Sequence, residues 1–166
     1  MSLTIEPVER LPILLIVNRQ RHALEVPSDA SLLDVLREQL ALNGSKRGCD
    51  RGACGACTVL LNGLRVNACL TLAASIDGAE VTTIEGLVDL DGAPSALQSA
   101  FALCDGLQCG FCTPGQIMSA AGLIAEGEAS SRAEIAVAMS GNLCRCGAYP
   151  NIVDAIQMAM GAGGQR

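Results

Sequence analysis

Nine cysteines stand out in a chain of 166 residues, and eight of them fall into two groups of four. Cys49, Cys54, Cys57 and Cys69 are spaced C-x4-C-x2-C-x11-C. The first three follow the plant-type spacing of 2Fe-2S ligands, in which two sulfide-bridged irons each take two thiolates. Gly48, Gly52 and Gly55 lie between or beside these cysteines. Glycine admits positive φ, so such a loop can turn backbone N–H groups toward anionic sulfur and favour the reduced state of a cluster. The second group, Cys109, Cys112, Cys144 and Cys146, is spaced C-x2-C-x31-C-x-C. Thr113-Pro114-Gly115 follows Cys112 as a helix start, whose N-terminal dipole would face the sulfurs; Asn142 and Gly147 flank the other pair.

Two other chemistries use the same residues. Structural zinc also takes four thiolates, but its usual knuckles pair C-x2-C with C-x2-C, which a C-x4-C-x2-C triplet and a C-x-C pair fit poorly. Cys54-Gly55-Ala56-Cys57 and Cys109-Gly110-Phe111-Cys112 each have the C-x-x-C form of a thiol exchanger. Exchange leaves the other four cysteines without an occupation.

The elements that must position these loops are legible in two halves. Leu11 to Val17 and Arg21 to Val26 read as a hairpin around Asn18-Arg19-Gln20. Ser31 caps a short helix with Asp34 at its third position, carries Leu32, Leu33, Val35, Leu36 and Leu40 near one face, and is expected to end at Asn43-Gly44. Thr58 to Leu61 and Leu64 to Leu70 pair around Asn62-Gly63, a type I′ dipeptide, so Cys69 is expected on the returning strand. Glu80 to Ile84 is a last strand. Turn chemistry from Asp89 to Pro94 marks a domain boundary, giving domains 1–86 and 87–166. Beyond it the spacing predicts four helices: Ser95 to Cys104, one capped by Thr113 and closed by Gly127, one opened by the Ser131–Glu134 capping box and followed by Gly141, and Pro150 to Met160. The fold class is α+β.

Composition excludes several functions. A net charge of −6, from 17 acids against 11 Lys and Arg, argues against a nucleic-acid partner. With no Trp, one Tyr and two Phe, a base-stacking surface is equally unsupported. Leu11 to Val17 is too short for a membrane span; Glu6 and Glu9 precede it where a secretory signal carries Lys or Arg. A cytoplasmic protein is expected, and its reducing surroundings leave the thiols for metal. No paired carboxylates, His-backed nucleophile or phosphate loop supply substrate chemistry. A mean hydropathy of +0.38 suggests that partner subunits cover part of the surface.

Three stretches carry a resemblance: Gly48-Cys49-Asp50-Arg51-Gly52-Ala53-Cys54-Gly55-Ala56-Cys57-Thr58, Gly106-Leu107-Gln108-Cys109-Gly110-Phe111-Cys112-Thr113-Pro114-Gly115, and Gly141-Asn142-Leu143-Cys144-Arg145-Cys146-Gly147. From about Leu11 to Met160 the chain resembles the small iron-sulfur subunit of the molybdenum hydroxylases, the xanthine oxidase and aldehyde oxidoreductase family. The resemblance implies a plant-type ferredoxin β-grasp domain followed by a four-helix-bundle domain, each with one 2Fe-2S cluster. It implies a large subunit with a molybdenum-pterin centre, a medium FAD subunit, and a heterotrimer, single or dimerised. This chain would pass single electrons between them, or to another acceptor, during hydroxylation of an aldehyde or N-heterocycle. Cys109, Cys112, Cys144 and Cys146 would hold the cluster next to the pterin, and Cys49, Cys54, Cys57 and Cys69 the one facing FAD. Gln108 and Cys146 match positions that touch the pterin. Outside the motifs, Cys104 is expected as packing, His22 as an exposed hairpin residue, Met118, Met139, Met158 and Met160 as core filler, and Lys46, Arg47, Arg51 and Arg145 as cations beside the ligands.

Overall fold

The computed structural model describes residues 8–88 and 91–163. Asp89 and Leu90, at the expected boundary, lie outside the described residues, as do 1–7 and 164–166. β1 (Arg10–Val17) and β2 (Gln20–Pro27) form an antiparallel hairpin in which Val17 faces Gln20, so the turn is the two residues Asn18 and Arg19. Both have positive φ, as a type I′ turn requires. β3 (Thr58–Leu61) and β4 (Leu64–Asn67) turn at Asn62 and Gly63 with the same signs of φ. β5 (Glu80–Thr82) pairs parallel to β1 and antiparallel to β3, giving the sheet order β2-β1-β5-β3-β4. Asn18 clips the first turn to the end of β5: its Oδ1 accepts from Thr83 N–H (2.9 Å) and its Nδ2 donates to Thr83 Oγ1 (2.9 Å).

The sheet's core follows from strict alternation. Ile13, Leu15 and Val17 of β1 turn inward, with Val26, Val59 and Val81 from its neighbours. They meet Leu32, Leu33, Val35 and Leu36, all fully buried. The helix carrying these opens with the expected Ser31–Asp34 capping box, runs as α1 (Leu32–Asp34) and continues as a π turn over Val35–Gln39. It stops before Asn43-Gly44, because Ala41 already takes a left-handed φ of 55°. Leu40, just beyond the last turn, is only half-buried.

α2 (Ala96–Leu103), α3 (Thr113–Glu126), α4 (Arg132–Ala138) and α5 (Tyr149–Gly163) share a second core around Phe101, Ile117, Leu123, Ile135, Ile152 and Ile156. Ser95 with Gln98 and Ser131 with Glu134 close capping boxes, and Gly127, at φ 68°, ends α3. Four expectations are corrected here. The N-cap of α3 is Cys112 rather than Thr113, so a cysteine itself opens that helix. α5 runs longer at both ends than Pro150 to Met160. Met118 and Met139 are buried filler, but Met158 is 46% exposed. His22 is half-buried on β2 rather than exposed.

α3 lies across β3 and β4, so the helices and the sheet meet. Arg65 of β4 reaches over this seam: Nε and Nη2 bind Glu126 Oε1 and Oε2 at 2.9 and 2.6 Å, and Nη1 donates to Ala138 O at 3.3 Å. Glu126 stands at the C-terminal end of α3, where the helix dipole disfavours a carboxylate, so the guanidinium fork is what makes it tolerable. Both side chains are three-quarters covered. Arg65→Met keeps the aliphatic stem but strips the fork, and is expected to cost ~1–3 kcal/mol. A denaturant midpoint equal to the wild type's would contradict this. Among the described residues, no helix is long and apolar enough to cross a membrane.

Candidate metal centres

The loop from Gly48 to Cys57 is built for close approach to sulfur. Gly52 and Gly55 have φ of 72° and 69°, as expected, and so does non-glycine Asp50, at 56°. Gly48 serves differently: a Cβ there would lie 2.9 Å from Cys54 Sγ. Ala53 N–H donates to Cys49 Sγ at 3.2 Å. The Cys49 thiol is drawn down to about 7, chiefly by the backbone N–H of Arg51, with Cys54's thiol and further backbone N–H groups assisting. Cys57, deep at the start of β3, is pushed up to about 12 by burial, and its thiol meets that of Cys69. Cys69 is not on the returning strand. β4 ends at Asn67, and Cys69 sits in the turn that follows, where Ala68 N–H reaches back to Cys57 O (3.3 Å) and Leu70 N–H to Asn67 O (2.9 Å).

The second group is arranged in the same way. Cys109 is exposed and its thiol lowered, first by the N–H of Phe111 and then by Cys146. Cys112, at the mouth of α3, is pushed up to about 11, so burial outweighs the helix dipole there; its thiol meets that of Cys144. For Cys144 burial works upward, but the backbone N–H groups of Ala148, Cys146 and Gly147, together with the Cys112 thiol, bring it below its ordinary value. Its own N–H turns away and donates to Tyr149 Oη at 2.8 Å.

Within each set the thiols act on one another: Cys54 on Cys49, Cys69 and Cys54 on Cys57, Cys146 and Cys144 on Cys109, and Cys144 and Cys109 on Cys112. Among the described residues, no three His, Cys, Asp or Glu side chains converge as ligands of a single ion. Four thiolates per site is what a two-iron cluster asks for, since each iron takes two. The donor set fits that group.

The two sets open onto one cleft of about 600 Å³, which Cys54, Cys109, Cys112 and Cys144 line along with Phe111 and Tyr149. Leu143 N–H donates to Cys54 O at 2.9 Å, so the residue beside one cysteine is bonded to the backbone of another from the other set. Of the cations near the ligands, Arg145 lines the cleft. Arg47 is instead engaged by Asp34 and Asp50, and Lys46 Nζ by the carbonyls of Asn43 (2.7 Å) and Gly44 (3.0 Å). Gln108 is exposed beside Cys109. Cys104 stands apart from both sets, half-buried, with its sulfur 4.0 Å from Met158 Sδ.

Residues 15–83 match the 2Fe-2S iron-sulfur cluster binding domain family, and residues 83–157 match the 2Fe-2S binding domain family. The chain is 49% identical over 171 residues to the aldehyde oxidoreductase iron-sulfur-binding subunit of Escherichia coli, covering 92% of this chain and 73% of that one. It is 45% identical over 163 residues to the nicotine 6-hydroxylase small subunit of Paenarthrobacter nicotinovorans, covering 98% of each. The chain belongs to the iron-sulfur subunits of the molybdenum hydroxylase family. This iron-sulfur subunit superposes on the quinoline 2-oxidoreductase of Pseudomonas putida with a TM-score of 0.88 at 40% identity, covering 94% of this chain and 97% of that one. Against the aldehyde oxidoreductase of Desulfovibrio gigas the TM-score is 0.87 at 41% identity; there it covers 94% of this subunit but 18% of the longer chain.

Two contributors to the site were not read from the subunit's sequence. The acceptor role of Tyr149, the only tyrosine, had one available signal: it stands five residues after Cys144 at the head of a helix. Arg65 carried none, because its partners lie 61 and 73 residues away.

Proposed function

We propose that Cys49, Cys54, Cys57 and Cys69 hold one 2Fe-2S cluster and Cys109, Cys112, Cys144 and Cys146 the other. The observation that carries this is the gathering of eight thiols into two sets of four, each thiol acted on by others of its own set. Such a cluster, when bound, takes up and gives back one electron at a time. The chain's own residues keep the ligands in place: backbone N–H groups face Cys49 and Cys144, burial shields Cys57 and Cys112, and the Leu143–Cys54 hydrogen bond ties the two loops together. The subunit carries electrons within a multi-subunit oxidoreductase.

On our reading the first domain, 1–86, is a β-grasp of the plant-type ferredoxin kind, and the second, 87–166, a four-helix bundle. The sheet order with its one parallel pair, the two separate cores and the junction of the two family matches at residue 83 support that division. The large subunit supplies a molybdenum-pterin centre beside the helical set, where exposed Gln108 and half-buried Cys146 meet the pterin. A medium subunit supplies FAD beside the other set. The heterotrimer works in the cytoplasm, where a reducing environment leaves thiols for metal. The substrate is an aldehyde or an N-heterocycle, the classes for which the relatives above are named. The test is anaerobic mixing of the assembled complex with a panel of aldehydes and N-heterocycles. At least one compound should bleach the visible absorbance of the clusters in the complex and leave the isolated subunit unchanged. Bleaching of the isolated subunit would contradict the assignment of substrate chemistry to a partner.

A further inference from the structure

One amide spans the seam between the two cysteine sets. Asn142 is 7% exposed, two residues before Cys144. Its Nδ2 lies 3.0 Å from Gly55 O, 3.1 Å from Gly115 O and 3.3 Å from Thr58 Oγ1. The Thr58 hydroxyl gives its own proton to Gly55 O at 2.7 Å and so offers Asn142 a lone pair. All three neighbours therefore accept, which fixes the amide's orientation: only an NH₂ fits where it stands. The backbone is held as well, since Asn142 O accepts from buried Gln116 Nε2 (2.9 Å) and Asn142 N–H donates to Met139 O (3.0 Å). A Cβ on Gly55 would run into this amide.

The placement of those partners gives the contact its meaning. Gly55 stands between Cys54 and Cys57, Thr58 follows Cys57, and Gly115 stands three residues after Cys112. One side chain thus bonds to backbone oxygens that follow ligands of both sets, at Gly55 and Gly115, and its hydrogen bonds go to none of the ligand sulfurs. Resting on the two-cluster reading above, we propose that Asn142 is a positioning residue that holds the two cluster-binding loops at one separation and so sets the strength of electron exchange between the clusters. Its removal leaves Gly55 O paired with the Thr58 hydroxyl (2.7 Å) and N–H (3.1 Å), but takes away the donor shared between Gly55 O and Gly115 O, so the tie across the seam is lost and the loops are free to shift. Each cluster keeps its own four thiolates.

The test uses the assembled complex with Asn142→Ala and Asn142→Asp. The alanine variant deletes the donor; the aspartate variant keeps the shape but sets oxygen against three acceptors. Iron content, the g-values of both reduced clusters and their midpoint potentials should match the wild type. The low-temperature EPR splitting that arises when both clusters are reduced should shrink in the alanine variant and shrink further in the aspartate variant. Redistribution of an electron between clusters after partial reduction should slow severalfold in the same order. Unchanged splitting and rate with both clusters intact would overturn the proposal, and so would loss of a cluster in both variants, which would make Asn142 a matter of stability alone. Absence of two 2Fe-2S signals in the wild-type complex would instead overturn the two-cluster reading itself.

Discussion

Cys49→Ser removes one of the two EPR signals of the dithionite-reduced protein and leaves the other where it was; Cys144→Ser does the reverse. This selectivity follows from the division into two sets: the thiols acting on Cys49 and on Cys144 each belong to the same set as the cysteine they act on. A serine hydroxyl fits either place but stays protonated at neutral pH, so it offers iron no anionic ligand. The Cys49 variant loses a thiol drawn down to about 7, chiefly by the N–H of Arg51, with that of Ala53 assisting. The Cys144 variant loses an inner ligand and should also stop substrate-driven reduction of the remaining cluster, because the helical site stands nearer the molybdenum on our reading. Equal loss of both signals in either variant would contradict two independent sites.

Gly115→Ala is expected to be at least as damaging, though no ligand changes. Gly115 is in the first turn of α3, pressed against the Gly55-Ala56 stretch between two cysteines. An added methyl would fall well inside van der Waals contact with the Gly55 carbonyl oxygen and lie 2.9 Å from Ala56 Cα. Those atoms are backbone and cannot swing aside as a side chain can, so α3 or the loop must move. Overpacking of this kind costs about 1–3 kcal/mol when neighbours can repack, and more where they cannot. Retreat of α3 would also carry Cys112 away from Cys144 and pull Gly115 O from Asn142. Low iron content at both sites and a clearly lowered denaturation midpoint are the expected results. Wild-type iron content and midpoint would show that the seam is looser than described.

The chemistry was legible in the sequence wherever it is local. Cysteine spacing marked both sets, and Ser31 with Asp34, Ser131 with Glu134 and Asn62-Gly63 announced their caps and turn because the partners are adjacent or three residues apart. Cys69 was misplaced for a local reason too. The alternation of Leu64 to Leu70 continues past Asn67, but the Ala68–Cys57 and Leu70–Asn67 hydrogen bonds turn the chain out of the strand. The early end of the first helix had no such signal, since nothing in Val35 to Gln39 distinguishes a π turn from an α turn. What remained hidden is what joins the halves. Asn142 finds Gly55 and Thr58 across 87 and 84 residues, and Asn18 finds Thr83 across 65. A polar residue in a loop is ordinary; its value appears only when folding brings acceptors to it.

The most direct test of the account is low-temperature EPR of the dithionite-reduced protein, with spins counted against protein and iron. Two distinct signals, together approaching about two spins per chain, are predicted, because each set of four thiolates holds one cluster that accepts one electron. A silent spectrum, with zinc in place of iron, would contradict the account and make the thiols structural ligands.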